Sequence, residues 1–114
     1  TMAERGGLLH PEVEDYTPNQ AQDEVARGAV LIDVREQHEW DNGRMPCAQL
    51  IPMGQIPSRI DDLPRDRKII FTCRTGNRSG TIKDYMIDEH GYTDVHNLLG
   101  GIVAWQLDGL PVVK

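Results

Sequence analysis

Two short runs in this chain are apolar at every position, Ala29-Val30-Leu31-Ile32 and Ile69-Ile70-Phe71. A strand with one face in water alternates apolar and polar residues. A run with no polar position instead suits a strand covered on both faces, as in a parallel sheet held between helices. Segments of helical character lie around these runs. Thr17-Pro18-Asn19-Gln20 offers a cap, a first-turn proline and the last residue of a capping box, with Gly28 as the stop. Glu36 to Trp40 reads as a short helical turn, and Ile56, Ile60 and Leu63 form one face of a short helix. Longer helical spacing runs from Ser79 to about Glu89, and Ile102 to Leu107 forms a last short helix. Gln49-Leu50-Ile51 and Val95-His96-Asn97-Leu98 complete the strands. Strands alternating with helices predict an α/β fold whose sheet is parallel and joined by right-handed crossovers.

The chain has 114 residues, the size of one domain, and carries 12 Lys and Arg against 18 Asp and Glu, a formal charge of −6. That balance argues against nucleic acid as a partner. No apolar stretch approaches the roughly 20 residues of a membrane span, and the first seven residues hold no hydrophobic segment of a signal peptide. Residues 1–15 are polar and read as an N-terminal arm, with the domain over 16–114. Two cysteines, Cys47 and Cys73, are too few for a disulfide framework and lack zinc spacing, so the expected compartment is the reducing cytoplasm. His10, His38, His90 and His96 are scattered, with no pair at metal-ligand spacing.

Ligands of parallel sheets bind outside the carboxyl ends of the strands. Asp33-Val34-Arg35 and Cys73-Arg74-Thr75-Gly76-Asn77-Arg78 both follow strands there and are expected to be neighbours. Backbone N–H groups of the second loop, with the helix N-terminus after it, can form an anion-binding concavity. Gly76 permits a backbone geometry that a side chain resists, and Arg74 and Arg78 add positive charge. Cys73 stands at the mouth of this cradle. Helix N-termini and neighbouring cations favour thiolate over thiol, so one loop could hold both an anionic substrate and a nucleophile. The plainer alternative makes Cys73 a small buried apolar residue and the arginines solvated.

Four segments resemble the rhodanese family of persulfide-forming sulfurtransferases over residues 17–113. They are Leu31 to Glu36, Cys73 to Ser79, Asn97 to Trp105 and Gly109 to Val112. The resemblance implies a three-layer α/β sandwich with a mainly parallel, roughly five-stranded sheet flanked by helices. It also implies a reaction in which Cys73 takes a sulfane sulfur from a small anionic donor such as thiosulfate. The sulfur then passes to cyanide or to a thiol, and a protein persulfide is a further partner that could donate it. No metal or organic cofactor is required. By the same resemblance Thr75, Gly76, Asn77 and Arg78 cradle the substrate, and Arg74 and Arg78 attract it. Asp33, Arg35 and Ser79 brace the site.

Two segments depart from the family. Gly43-Arg44-Met45-Pro46-Cys47-Ala48 stands where Gly-His-Ile-Pro-Gly-Ala is usual, and Ser79-Gly80-Thr81 where small residues such as Ala are. Cys47 is either a small residue tolerated in a turn or a second thiol able to resolve a Cys73 persulfide. Three other functions compete: a non-catalytic binding module, a sulfur carrier, and a phosphatase or arsenate reductase. The last would place Arg after five intervening residues, at position 79. That position is Ser79, and Arg78 follows Cys73 after only four.

Overall fold

The computed structural model describes His10 and residues 12–114. In chain order the elements are α1 (Pro18–Ala26), β1 (Val30–Asp33), α2 (Gln37–Asp41), β2 (Gln49–Leu50), β3 (Ile69–Thr72), α3 (Asn77–His90), β4 (Val95–Asn97) and α4 (Gly101–Leu107). The capping box forms as the sequence predicts. Thr17 Oγ1 accepts from Gln20 N at 3.3 Å, and Gln20 Oε1 accepts from Thr17 N at 3.0 Å.

Four parallel strands lie in the order β2-β1-β3-β4. The sequence expectation was roughly five. Beyond β4, where another strand would lie, there is a single parallel bridge from Tyr16 to Leu98. Glu12, Glu14 and Asp15 precede Tyr16, and this polar segment offers no apolar face with which to continue a strand.

Both sheet faces are covered, which accounts for the wholly apolar runs. Ile32, Ile69 and Phe71 face one cluster with Ile82 and Met86 of α3. Leu31 and Ile70 face another with Ala21 of α1 and Trp105 of α4. All four residues of β3 are buried. The predicted helix from Ile56 to Leu63 is instead two 3₁₀ stretches, Met53–Gln55 and Pro57–Asp62. Pro57 supplies no N–H and Pro64 follows closely, so too few residues remain for regular α-helical bonding.

Most of the expected arm, residues 1–9 and 11, lies outside the described residues. The segment just after it is tied down. Lys83, fully buried on α3, donates to Asp15 Oδ1 at 2.7 Å and to Val13 O at 2.9 Å. Asp15 Oδ1 also accepts from Asn97 N at 2.9 Å. No helix among the described residues is long and apolar enough to cross a membrane.

The strand order fixes where a ligand can bind. From β1 the chain passes to β2 on one side, and from β3 to β4 on the other. The loops leaving β1 and β3 therefore diverge, opening a crevice at their carboxyl ends.

Candidate active site

Cys73 follows β3 directly, and its side chain is 1% exposed. The sequence places the next helix at Ser79, but α3 begins two residues earlier, at Asn77. Gly76 makes this possible: at φ +99° it turns the chain in a left-handed conformation and serves as the N-cap. The loop is thus four residues long, Cys73 to Gly76, and N–H groups at the start of α3, which have no partner inside the helix, reach the sulfur.

Three donor groups converge on Cys73 Sγ. They are Gly76 N at 3.1 Å, Ser79 N at 3.5 Å and Ser79 Oγ at 3.3 Å. The first two belong to the positive end of the α3 dipole. Thr75 and Asn77 are exposed on the rim.

The far side of the loop is fixed by α4. Ile102 N donates to Cys73 O at 2.9 Å and Val103 N to Arg74 O at 3.1 Å, turning these carbonyls away from the sulfur. Gly101 makes the approach possible. A Cβ there would lie 2.3 Å from Cys73 O and 2.5 Å from Arg74 O, and its φ is +58°.

Val34 N donates to Thr72 O at 2.9 Å, which sets the end of β1, with Asp33 and Arg35, beside the end of β3 from which the loop leaves. Arg35 Nε donates to Asp33 Oδ2 at 2.9 Å, and Arg35 Nη2 donates to Gly43 O at 2.8 Å. Both side chains are buried. Burial pushes the Asp33 carboxyl above its ordinary value, against the pull of the Arg35 backbone N–H and charge. This pair holds the end of β1 to the segment after α2 and makes no contact with the sulfur.

The two arginines differ. Arg74 is exposed and makes no ion pair among the described residues. Arg78 is engaged by Glu39 in a two-pronged pair, Nη1 to Oε1 at 2.8 Å and Nη2 to Oε2 at 2.9 Å. Glu39 Oε1 also accepts from Glu36 N at 3.1 Å. Chiefly through the Arg78 bonds, the Glu39 carboxyl is held down to about 2. A carboxyl with a depressed native value contributes stability above its unfolded value of about 4.3, and this is lost as pH falls toward the native value. Urea denaturation of the native sequence is therefore expected to show falling stability from about pH 4.5 to 2. Glu39→Gln is expected to flatten that part of the profile. An unchanged slope would mean that the pair carries no linkage.

Beside the loop lies an open cleft of about 340 Å³, lined by His38, Glu39, Arg74, Val103 and Gln106 among others. Cys47 is exposed, and both thiols are free. β1 lies between β2 and β3, a separation of two strand spacings or about 9–10 Å. Cys47 enters the sheet before β2, whereas Cys73 leaves it after β3. A disulfide tolerates a Cα separation of about 7 Å at most, so joining them requires the Met45–Ala48 turn to move.

Two residues missed by the sequence reading complete the site. Glu39 neutralises Arg78 from 39 positions away, and nothing in the linear pattern links them. Asn97 ends β4 beside the loop, accepting from Ser79 Oγ at 2.6 Å and donating from Nδ2 to Gly76 O at 2.9 Å. Its signal was present: a polar residue at the carboxyl end of a strand, the criterion that singled out Asp33.

The rhodanese-like domain family matches residues 17–108. A sulfurtransferase of Allochromatium vinosum is 42% identical over 84 residues, 74% of this chain and 78% of the relative. The thiosulfate sulfurtransferase GlpE of Stutzerimonas stutzeri is 29% identical over 89 residues, 78% of this chain and 81% of the relative. Among solved structures, a rhodanese-related protein from Thermoplasma volcanium superposes with a TM-score of 0.78 at 26% identity. That match covers 88% of this chain and 97% of the other.

Proposed function

Because the chain belongs to the rhodanese-like domain family, we propose that it is a sulfurtransferase that moves a sulfane sulfur from thiosulfate or a related persulfide donor through a Cys73 persulfide. The observation that carries this reading is the convergence of Gly76 N, Ser79 N and Ser79 Oγ on one buried sulfur. Gly76 N and Ser79 N are fixed before the reaction and stabilise an anion there without reorganising, which favours both the attacking thiolate and the persulfide that follows.

In the first half-reaction the Cys73 thiolate attacks the outer sulfur of thiosulfate. A new S–S bond forms, the bond from that sulfur to the sulfite sulfur breaks, and its electron pair leaves with sulfite. In the second, cyanide or a thiolate attacks the terminal sulfur of the persulfide and the Cys73 thiolate is regenerated. Neither step requires a metal or an organic cofactor. Arg74 is the cation free to draw the anion to the cleft, and Thr75, Gly76, Asn77 and Arg78 form the cradle. Asp33 and Arg35 brace it. The pairing of Arg78 with Glu39 favours sulfur over phosphoryl transfer, which would require a guanidinium for the phosphoryl oxygens. The thiol chemistry suits the reducing cytoplasm, where we place the protein.

Intact-mass spectrometry of the reduced protein tests the reading. Thiosulfate is expected to add one sulfur, about 32 Da, and cyanide to remove it, as a covalent intermediate requires. A gain only from a protein persulfide would make the chain a carrier served by a partner protein. No gain from any donor would leave a binding module.

A further inference from the structure

Ser79 has one hydroxyl proton and two neighbours competing for it. Asn97 Oδ1 lies 2.6 Å from Ser79 Oγ, and Cys73 Sγ lies 3.3 Å away. The orientation of the Asn97 amide is set independently, because its Nδ2 donates to Gly76 O at 2.9 Å. Its oxygen must therefore face Ser79. Gly76 N in turn donates to Cys73 Sγ, closing a ring of hydrogen bonds through Cys73, Gly76, Asn97 and Ser79. Ser79 is fully buried and Asn97 is 4% exposed, so water does not substitute for either partner. The main chain of Asn97 is held as well, its N–H donating to Asp15.

In this arrangement the Ser79 proton is committed to Asn97, and an oxygen lone pair faces the sulfur. That suits a thiol, whose S–H can donate to Ser79 Oγ. It does not suit an anion, which requires the proton to swing from Asn97 to the sulfur and form a charge-assisted bond. We propose that Asn97 is a positioning residue that acts through the Ser79 hydroxyl, and that their competition sets the pH at which Cys73 becomes a nucleophile. The inference rests on the reading of Cys73 as the reactive thiol.

Other charges near the sulfur are fixed and differ in origin. Arg74 and Arg78 come from the loop and α3, Asp33 and Arg35 from the end of β1, and Glu39 from α2. Asp15 lies behind Asn97 with Lys83. On β4, His96 faces Glu14 O and Asp94, and α4 contributes no charged residue. None of these contacts the Ser79 hydroxyl.

The test is the pH dependence of Cys73 alkylation by iodoacetamide, read by mass spectrometry on the peptide that contains Cys73. This readout is independent of sulfur transfer, so the proposal can fail while the sulfurtransferase reading stands, and the reverse. Ser79→Ala removes a donor to the anion and is expected to raise the midpoint by about one pH unit, the worth of one charge-assisted bond. Asn97→Leu removes the competitor and is expected to lower the midpoint. In the double variant the Asn97→Leu effect is expected to vanish, leaving the Ser79→Ala midpoint. An upward shift in Asn97→Leu, an equal Asn97→Leu shift with Ser79 absent, or an unmoved midpoint in Ser79→Ala would overturn the proposal.

Discussion

A Cys73→Ser variant is expected to fold normally and to lose sulfur transfer from thiosulfate to cyanide by at least about 10³-fold. The hydroxyl fits the space of the thiol, and Gly76 N and Ser79 N can still donate to it. Stability measured by urea should therefore change by no more than about 1 kcal/mol. Chemistry is lost because an alcohol oxygen remains protonated at neutral pH and has no means of forming the S–S bond that stores the sulfur. The variant should gain no mass with thiosulfate, whereas Cys47→Ala should load and discharge as the native sequence does. A fully active Cys73→Ser protein beside an inactive Cys47→Ala protein would move the nucleophile to Cys47.

Arg35→Ala is expected to be the most destabilising single substitution around the site, by about 3–5 kcal/mol at neutral pH. Asp33 and Arg35 are 1% and 5% exposed, and the guanidinium donates to both oxygens of the Asp33 carboxylate and to Gly43 O. Truncation removes these donors and leaves the buried carboxylate the Arg35 backbone N–H, at 3.0 Å. Burial already raises the Asp33 carboxyl, and losing the guanidinium raises it further. A group whose native value lies above its unfolded one loses stability as pH rises through the native value. The deficit of Arg35→Ala should therefore be larger at pH 7 than at pH 4, as urea titrations at the two pH values can measure. Equal deficits would mean that the lost energy is packing rather than uncompensated charge.

The local chemistry of the fold was legible because short-range rules govern it. The Thr17 capping box, the apolar runs that became β1 and β3, and Cys73 at the end of a strand all follow from residues within a few positions of one another. A wholly apolar β3 already required helices on both faces of the sheet. The same rules misplaced the start of α3 by two residues, because it depended on Gly76 adopting φ +99° beneath Gly100. The 3₁₀ character of Pro57–Asp62 likewise follows from how little chain lies between Pro57 and Pro64.

The sequence by itself determined the cysteine that ends the central strand, the loop that follows it and the class of sheet from which it projects. Tertiary structure decided which charges remain free. Arg74 and Arg78 look alike in the sequence, but Glu39 reaches Arg78 from a different element and leaves Arg74 as the cation without an ion pair among the described residues. Tertiary structure also brought Asn97 to Ser79 across 18 positions and pressed Gly101 against the Cys73 carbonyl. The physical reason is one of range: backbone conformation is chosen by neighbours along the chain, whereas charge pairing and proton position depend on distances of about 3 Å that only packing between layers can set.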